Sequence, residues 1–203
     1  MRFARVALPL GLAVVALQAQ AQEAARYIGK PVVDLDGGID GRHVRLVQPF
    51  TFVDATGLRW DVPAGTMVDG ASIPQPFWSL IGGPFEGKYR DASIIHDRYC
   101  VTKDRPWQKV HRMFYEAMLV SGVEPMKAKL MYYAVYRFGP RWEQRTVLVP
   151  THGFDGTEKM KPAKVPVDLP SPIYNADEVR RSLERIQKEN PSVEQIEQIA
   201  SQP

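Results

Sequence analysis

The sequence is centred on Tyr89-Arg90-Asp91-Ala92-Ser93-Ile94-Ile95-His96-Asp97-Arg98-Tyr99-Cys100, whose pattern predicts a helix carrying a His-Asp pair. At about 100° per residue, the side chain of His96 shares one helix face with mostly small neighbours, which are Tyr89, Ala92, Ser93 and Cys100. Small side chains let a second helix come close, so we expect the imidazole at a helix–helix contact. A second helical pattern, Trp107 to Val120, follows after a short polar turn.

The His-Asp pair admits two interpretations. Asp97 points roughly 100° away from His96, so the two side chains can flank one site without approaching one atom from the same direction. In the first interpretation, His96 is a core histidine and Asp97 faces solvent; in the second, the pair is functional. Cys100 is the only cysteine. It cannot form an internal disulfide, and we expect a buried thiol on the small-residue face.

The N-terminus predicts export. The chain has 203 residues, 44% of them hydrophobic and 24% charged, which suffices for one domain with a core and an appendage. Residues 1–21 have the form of a secretory signal: two arginines precede an apolar run at 6–17, and Ala19-Gln20-Ala21 fits the cleavage rule. We therefore expect a periplasmic or secreted protein whose mature chain begins at Gln22.

The charge balance of the mature chain is almost neutral. Without the two arginines of the signal, 24 basic residues stand against 23 acidic ones. Bulk charge therefore gives no support to nucleic-acid binding. No later segment of the sequence is long and apolar enough to cross a membrane, so we expect no transmembrane segment in the mature protein.

The order of patterns predicts an α+β fold over residues 43–150, after a Gly- and Asp-rich lead-in at 22–42. Extended patterns at 43–53, 58–62 and 66–68, separated by turn signals, predict a small antiparallel sheet. The His-Asp helix and the 107–120 helix follow the sheet. A third helix opens at Glu124-Pro125 and closes at Gly139-Pro140, which completes a three-helix core.

The C-terminal third is predicted from composition. Residues 146–149 suggest one more strand. Residues 151–174 are interpreted as a linker, because the stretch from 155 onwards is polar and holds four prolines. Residues 175–203 contain two helix-start patterns and few apolar residues, and they predict a helical appendage. This tail docks on the core, contacts a protein partner, or stays mobile.

Two irregular segments lead into the His-Asp helix. The first, 69–74, holds Asp69 and Ser72, which either cap a short helix or supply polar groups to a site. The second, 81–87, is glycine-rich. Such a loop often indicates only a turn, but it can offer backbone amides and carbonyls to a ligand or metal. The glycines in question are Gly82, Gly83 and Gly87.

These features together resemble a family of small bacterial and phage proteins, domain of unknown function 1353. The features are the Asp69-Gly70-Ala71-Ser72-Ile73-Pro74 loop, the spacing to His96-Asp97, and the helix that ends at Phe138-Gly139. The resemblance extends from about Val44 to Trp142. It implies a bacterial or phage-related domain, and the family name supplies no activity.

The glycine-rich loop, the His-Asp helix and the packed second helix are also similar to the core of secreted phospholipase A2. That resemblance implies that His96 activates a water, that Asp97 binds calcium with loop carbonyls, and that the substrate is a lipid of the cell envelope. The chain departs from that family in two ways. Its single cysteine excludes the family's disulfides, and the partner-helix position that carries Asp there is His111. A histidine cannot stabilise a charging imidazole as a carboxylate does.

Three functions remain open from the sequence. The first is a hydrolase in which His96 is the general base, Asp97 holds calcium or orients the base, and Asp69 replaces the missing carboxylate. The second is a zinc-type site formed by His96, His111 and either Asp97 or Asp69, with water as the last ligand. The third is a non-catalytic envelope or phage-derived module in which His96, Asp97, Asp69 and Ser72 form a buried polar network. Ser72 as a nucleophile is a minor variant of the first.

Overall fold

The structure, a computed structural model, describes residues 24–34, 43–68, 77, 87–152 and 158–202. The predicted signal segment 1–21 lies outside these residues. The strands in the described part are β1 Arg26–Ile28, β2 Val33–Asp34, β3 Val44–Leu46, β4 Phe50–Val53, β5 Arg59–Val62, β6 Met67–Val68, β7 Trp142–His152 and β8 Glu158–Asp168. The helices are α1 Arg90–Thr102, α2 Trp107–Val120, α3 Pro125–Phe138, α4 Ala176–Glu189 and α5 Val193–Ser201. The α+β class predicted from the sequence is confirmed.

Two small antiparallel sheets form in the N-terminal half, where the sequence predicted one. Their strand orders are β1-β4-β5 and β2-β3-β6. The predicted strand 43–53 divides into β3 and β4, which belong to different sheets, and Pro49 lies at the break. Proline lacks the N–H that a continuous ladder needs, so the chain changes sheets there. The lead-in, expected to be turns, supplies β1 and β2 as edge strands.

Helix α1 lies at the centre of the molecule. It contacts β5 and β6 on one side and α2 on the other, and α2 in turn packs on α3. Helix α2 ends in a Schellman motif: Gly122 has φ +76, and the Val123 N–H donates to the Met118 carbonyl at 3.0 Å. Two short connections therefore hold α1, α2 and α3 as antiparallel neighbours with their buried faces together.

The chain after α3 forms a long two-stranded arm, in which residues 158–168, assigned to a linker from the sequence, form a strand. Strands β7 and β8 pair in continuous antiparallel register from Trp142↔Asp168 to His152↔Glu158. Prolines argue against an interior strand, but both strands of an isolated pair have an outer edge where a proline breaks no hydrogen bond. The predicted strand at 146–149 is the middle of the longer β7. The proposed domain boundaries remain a prediction.

The C-terminal helices dock on the core. Ile186 and Ile196 are fully buried and join the central hydrophobic cluster. Arg137 of α3 donates to the Ala200 carbonyl at 3.1 Å and to the Glu178 carboxylate at 2.9 Å. Of the outcomes that the sequence left open for the tail, the structure shows docking. None of the helices in the described part of the chain combines the length and apolar character that a membrane crossing requires.

We expect Ile196→Ala to lower the free energy of unfolding by about 2–5 kcal/mol, because it opens a cavity under α5. Ile173→Ala is the matched control, since Ile173 is 90% exposed, and it should change stability by no more than about 0.5 kcal/mol. Urea unfolding of both variants measures the difference. Equal stabilities for the two variants would show that α5 does not pack on the core as described.

Candidate functional site

His96 lies in the middle of α1 with its side chain fully buried. Ala92, one turn earlier, is small, and helix α2 approaches closely over that face. The imidazole lies against the ring of Phe114 on α2, with ring centroids 4.6 Å apart and planes tilted by 34°. A histidine placed here must find its hydrogen-bond partners inside the protein, since water does not reach it.

His111 of α2 is the main partner of His96. It is also fully buried, and its Nδ1 lies 2.8 Å from Nε2 of His96. The other nitrogen of His111, Nε2, lies 3.1 Å from the carbonyl oxygen of Pro140. Pro140 is held there by the end of α3 at Gly139, where an added Cβ would lie only 2.4 Å from the Val135 carbonyl oxygen. Three helices therefore contribute to one hydrogen-bonded chain.

The carbonyl of Pro140 determines which ring nitrogens of the two histidines carry a proton. A carbonyl only accepts, so Nε2 of His111 carries the proton and its Nδ1 accepts. His96 must then donate from Nε2, which leaves a lone pair on its Nδ1. Burial lowers the pKa of His111 to about 3, against the opposing effect of the Pro140 hydrogen bond. Burial, and next the proximity of His111, lower the pKa of His96 well below 6.5. Both rings are neutral at neutral pH.

Cys100 completes a cluster of three metal-ligating side chains. It lies one turn after His96 on the same face of α1 and is buried. Its Sγ is 3.6 Å from Nε2 and 3.8 Å from Nδ1 of His96. One ligand atom from each of His96, Cys100 and His111 lies within 4.8 Å of the others. The sequence predicted a buried thiol here but did not include Cys100 in the site; the His96-x-x-x-Cys100 spacing is the signal that could have revealed it.

Asp97 is buried, in contrast to the interpretation that placed it in solvent. Only 2% of the residue is exposed, and its Oδ1 lies 4.0 Å from Nδ1 of His96. The helical wheel places Asp97 off the α2-facing side of α1. It is buried nevertheless, because α1 is covered by β5 and β6 as well as by α2. A carboxylate thus approaches the one ring nitrogen of His96 that His111 does not use.

The remaining predicted site residues are not brought to this cluster by the described structure. Gly87 opens a short 3₁₀ turn with φ +74 and is exposed, which is a backbone role. The other four fall on residues that the structure does not describe, so their place is still a prediction. They are Asp69, Ser72, Gly82 and Gly83.

The geometry gives little support to the hypothesis that His96 is a general base. The ring is fully buried, and its Nε2 is engaged with His111. Its lowered pKa makes it a weak base at neutral pH. By contrast, neutral buried imidazoles beside a thiol are well suited to bind a soft or borderline metal ion, which requires deprotonated ligands.

Comparisons with known proteins give a family without an assigned activity. Residues 44–135 match the model of DUF1353, described as a protein of unknown function. Two relatives from Sinorhizobium fredii are the uncharacterized proteins y4jT, 56% identical over 104 residues, and y4iH, 47% identical over 111 residues. These matches cover 51% and 55% of this chain but only 31% and 46% of the relatives, so the chain spans less than half of their length. No solved structure matches.

We expect the metal-free protein to lose stability as the pH falls from about 6.5 towards 3. A histidine in the unfolded chain has a pKa of about 6.5, whereas His111 in the fold has a pKa of about 3, so only the unfolded chain takes up a proton in this window. The stability is fully present above pH 6.5. It then declines by up to about 1.4 kcal/mol per pH unit for each buried histidine.

Urea unfolding between pH 7 and pH 4 in the presence of EDTA measures this slope. The comparison is with His111→Gln, which removes one buried imidazole and should make the slope shallower. The carboxylates titrate equally in both proteins, so their contribution to the slope cancels in the comparison. An identical slope in the variant would contradict the assignment of His111 as a buried neutral ring.

Proposed function

We propose, from the site itself, that the protein binds a transition metal ion of the zinc class, because the DUF1353 model that residues 44–135 match is described without an activity. The ligands are His96 Nε2, His111 Nδ1 and Cys100 Sγ. The observation that carries the proposal is their convergence within 4.8 Å at a buried helix crossing. Imidazole nitrogen and thiolate sulfur are the ligands that zinc prefers in proteins.

The distance between Cys100 and His96 suits this assignment, and the two histidines would have to move apart slightly. Zinc–nitrogen bonds of about 2.0 Å and zinc–sulfur bonds of about 2.3 Å at tetrahedral angles separate N from S by about 3.5 Å and the two nitrogens by about 3.3 Å. The observed distance from Cys100 Sγ to His96 Nε2 is 3.6 Å. The two histidine nitrogens are 2.8 Å apart, the length of a hydrogen bond. Metal binding replaces that hydrogen bond and separates the rings by about half an ångström.

The second contact of each histidine also supports the proposal. A metal-bound histidine almost always donates its other ring N–H to a carbonyl or carboxylate. His111 already has this arrangement through Nε2 and the Pro140 carbonyl. In His96, metal on Nε2 moves the proton to Nδ1, which faces the Asp97 carboxylate at 4.0 Å. Asp97 then orients His96 rather than binding the metal, a different role from the one the sequence suggested.

Burial of all three ligands favours a structural metal, with hydrolysis as a second candidate. Three protein ligands leave one position, which water fills in catalytic zinc sites. Hydrolysis therefore requires the buried cluster to open to solvent, and a cell-envelope substrate is then the fitting class for an exported enzyme. Calcium chemistry as in phospholipase A2 has less support, since calcium takes six or more oxygen ligands and the described residues beside His96 offer the Asp97 carboxylate. Without metal, the same atoms form a buried polar network of a non-catalytic module.

The metal content of the purified full-length chain tests the proposal. We expect about one zinc ion per chain by elemental analysis, and a thiolate-to-metal charge-transfer band when cobalt replaces zinc. Cys100→Ser should abolish that band, and Cys100→Ser and His111→Gln should each weaken binding at least about tenfold. His152→Gln, a histidine exposed on β7, is the matched control and should bind like the wild type. Protein that takes up no metal, or variants that bind as tightly as the control, would refute this metal site.

We also propose that the protein is exported, on the basis of the basic residues, apolar run and Ala19-Gln20-Ala21 site of segment 1–21. Expression of the full chain in a bacterium should give a periplasmic or secreted form whose N-terminal sequence begins at Gln22. The Leu12→Arg variant, in which a charge interrupts the apolar run, should stay in the cytoplasm. Wild-type protein that stays in the cytoplasm with Met1 intact would refute export.

A further inference from the structure

The β7–β8 arm is a two-stranded sheet that no third strand extends within the described part of the chain. Each strand has 11 residues, which corresponds to about 37 Å. Most of its side chains are exposed, including Val147 at 37% and Leu148 at 63%. An isolated two-stranded sheet is marginally stable in water, so a further strand along this arm would stabilise it.

The hydrogen-bond register shows which backbone groups point outwards. At the base of the arm, the Leu169 N–H donates to the Arg141 carbonyl at 2.8 Å, so residues 141 and 169 form a hydrogen-bonded pair. Hydrogen-bonded and non-hydrogen-bonded pairs alternate in an antiparallel ladder. The even-numbered residues of β7, and their partners in β8, therefore direct their backbone N–H and C=O groups to the two outer edges.

Prolines interrupt the backbone donors of the β8 edge and leave three consecutive outward-facing donors on the β7 edge. Pro150, Pro162 and Pro166 all occupy outward-facing positions, being in register with Met160, Leu148 and Gln144. On the β8 edge, two of these prolines flank Lys164, so the edge lacks donors on both sides of it. Proline at such positions is a known protection against strand addition. The β7 edge offers an uninterrupted series of three donors, which are Gln144, Thr146 and Leu148.

We propose that the β7 edge pairs antiparallel with β7 of a second copy of this chain, around a two-fold axis at Thr146. The open window runs from 144 to 148, between Trp142, which is buried at the base, and Pro150. Its midpoint is Thr146. Three hydrogen-bonded pairs, with two bonds each, give about six backbone hydrogen bonds between the copies. An antiparallel edge is complementary to itself, as a two-fold interface requires.

The side chains select this register over its neighbours. With the axis at Thr146, the two Thr146 residues face each other, and Arg145 faces Val147 of the second copy. An axis at Arg145 would place two like charges directly opposite each other, which is destabilising. An axis at Val147 would oppose Gln144 to Pro150 and lose a donor. Glu143 forms an ion pair with Arg145 in each chain, so the approaching edges carry little net charge.

The charges of the arm favour a second copy over a nucleic acid as the occupant. A two-stranded ribbon can enter the major groove of DNA, but affinity for a phosphate backbone needs a clear excess of basic side chains. The described strands carry four basic and three acidic side chains, which are Arg145, Lys159, Lys161 and Lys164 against Glu143, Glu158 and Asp168. This balance fits pairing with an identical, nearly neutral edge.

Two matched variants test the edge assignment. Thr146 and Lys164 are directly opposite in the register, and both point their N–H outwards. Thr146→Pro therefore removes a donor from the β7 edge, and Lys164→Pro removes one from the β8 edge, while the β7–β8 ladder keeps its bonds in each. Sedimentation equilibrium should show a wild-type dimer, a dissociation constant raised at least about tenfold in Thr146→Pro, and a wild-type value in Lys164→Pro.

A cross-link tests the position of the axis. Cα atoms of a hydrogen-bonded antiparallel pair lie about 5.5 Å apart, within disulfide range. Thr146→Cys should form a covalent dimer on mild oxidation, whereas Lys164→Cys on the other edge should not, and the native Cys100 is buried. A wild-type chain that is monomeric at all concentrations, a Thr146→Pro variant that dimerises normally, or equal cross-linking of both cysteine variants would overturn the proposal.

Discussion

The contact between His96 and His111 is the constraint on which the centre of the molecule depends. Two imidazoles without access to water must satisfy each other or bind a common ion, because an unpaired buried polar group is costly. Meeting that requirement fixes how closely α1 and α2 approach. The end of α3 must also lie beside this crossing, since the second nitrogen of His111 needs the Pro140 carbonyl. The sheets, the third helix and the tail are arranged around this crossing.

The site has two interpretations, which differ only in whether a hydrogen-bonded proton or a metal ion lies between His96 Nε2 and His111 Nδ1. Without a metal, His96 donates a hydrogen bond to His111, and His111 donates one to the Pro140 carbonyl, so the three groups form a structural network. With a metal, the hydrogen bond between the rings is replaced by two coordinate bonds, and Cys100 supplies the third. The contact from His111 to the Pro140 carbonyl is the same in both states. The Asp97 carboxylate faces a ring N–H only in the metal-bound state, in which the proton of His96 is on Nδ1.

Local sequence signals predicted the helices. They did not predict features that depend on contacts between residues far apart in the sequence. The helical periodicity and the Glu124-Pro125 and Gly139-Pro140 signals predicted α1 to α3 closely. The prolines of 155–174 suggested a linker, yet in β8 they face the outer edge and interrupt no bond. The burial of Asp97 was also missed, because a helical wheel describes one covering surface and α1 has two. Cys100 was interpreted as a packing residue, although its spacing from His96 already placed both on one face.

Local patterns in the sequence predicted the three core helices, the α+β class and the small-residue face that carries His96, because these follow from local periodicity and side-chain size. Only the folded chain brings His111 Nδ1 to His96, buries Asp97 beside it and pairs β8 with β7. Each of these depends on the distance between groups on separate elements. That distance is set by packing, which no pattern within a single element encodes.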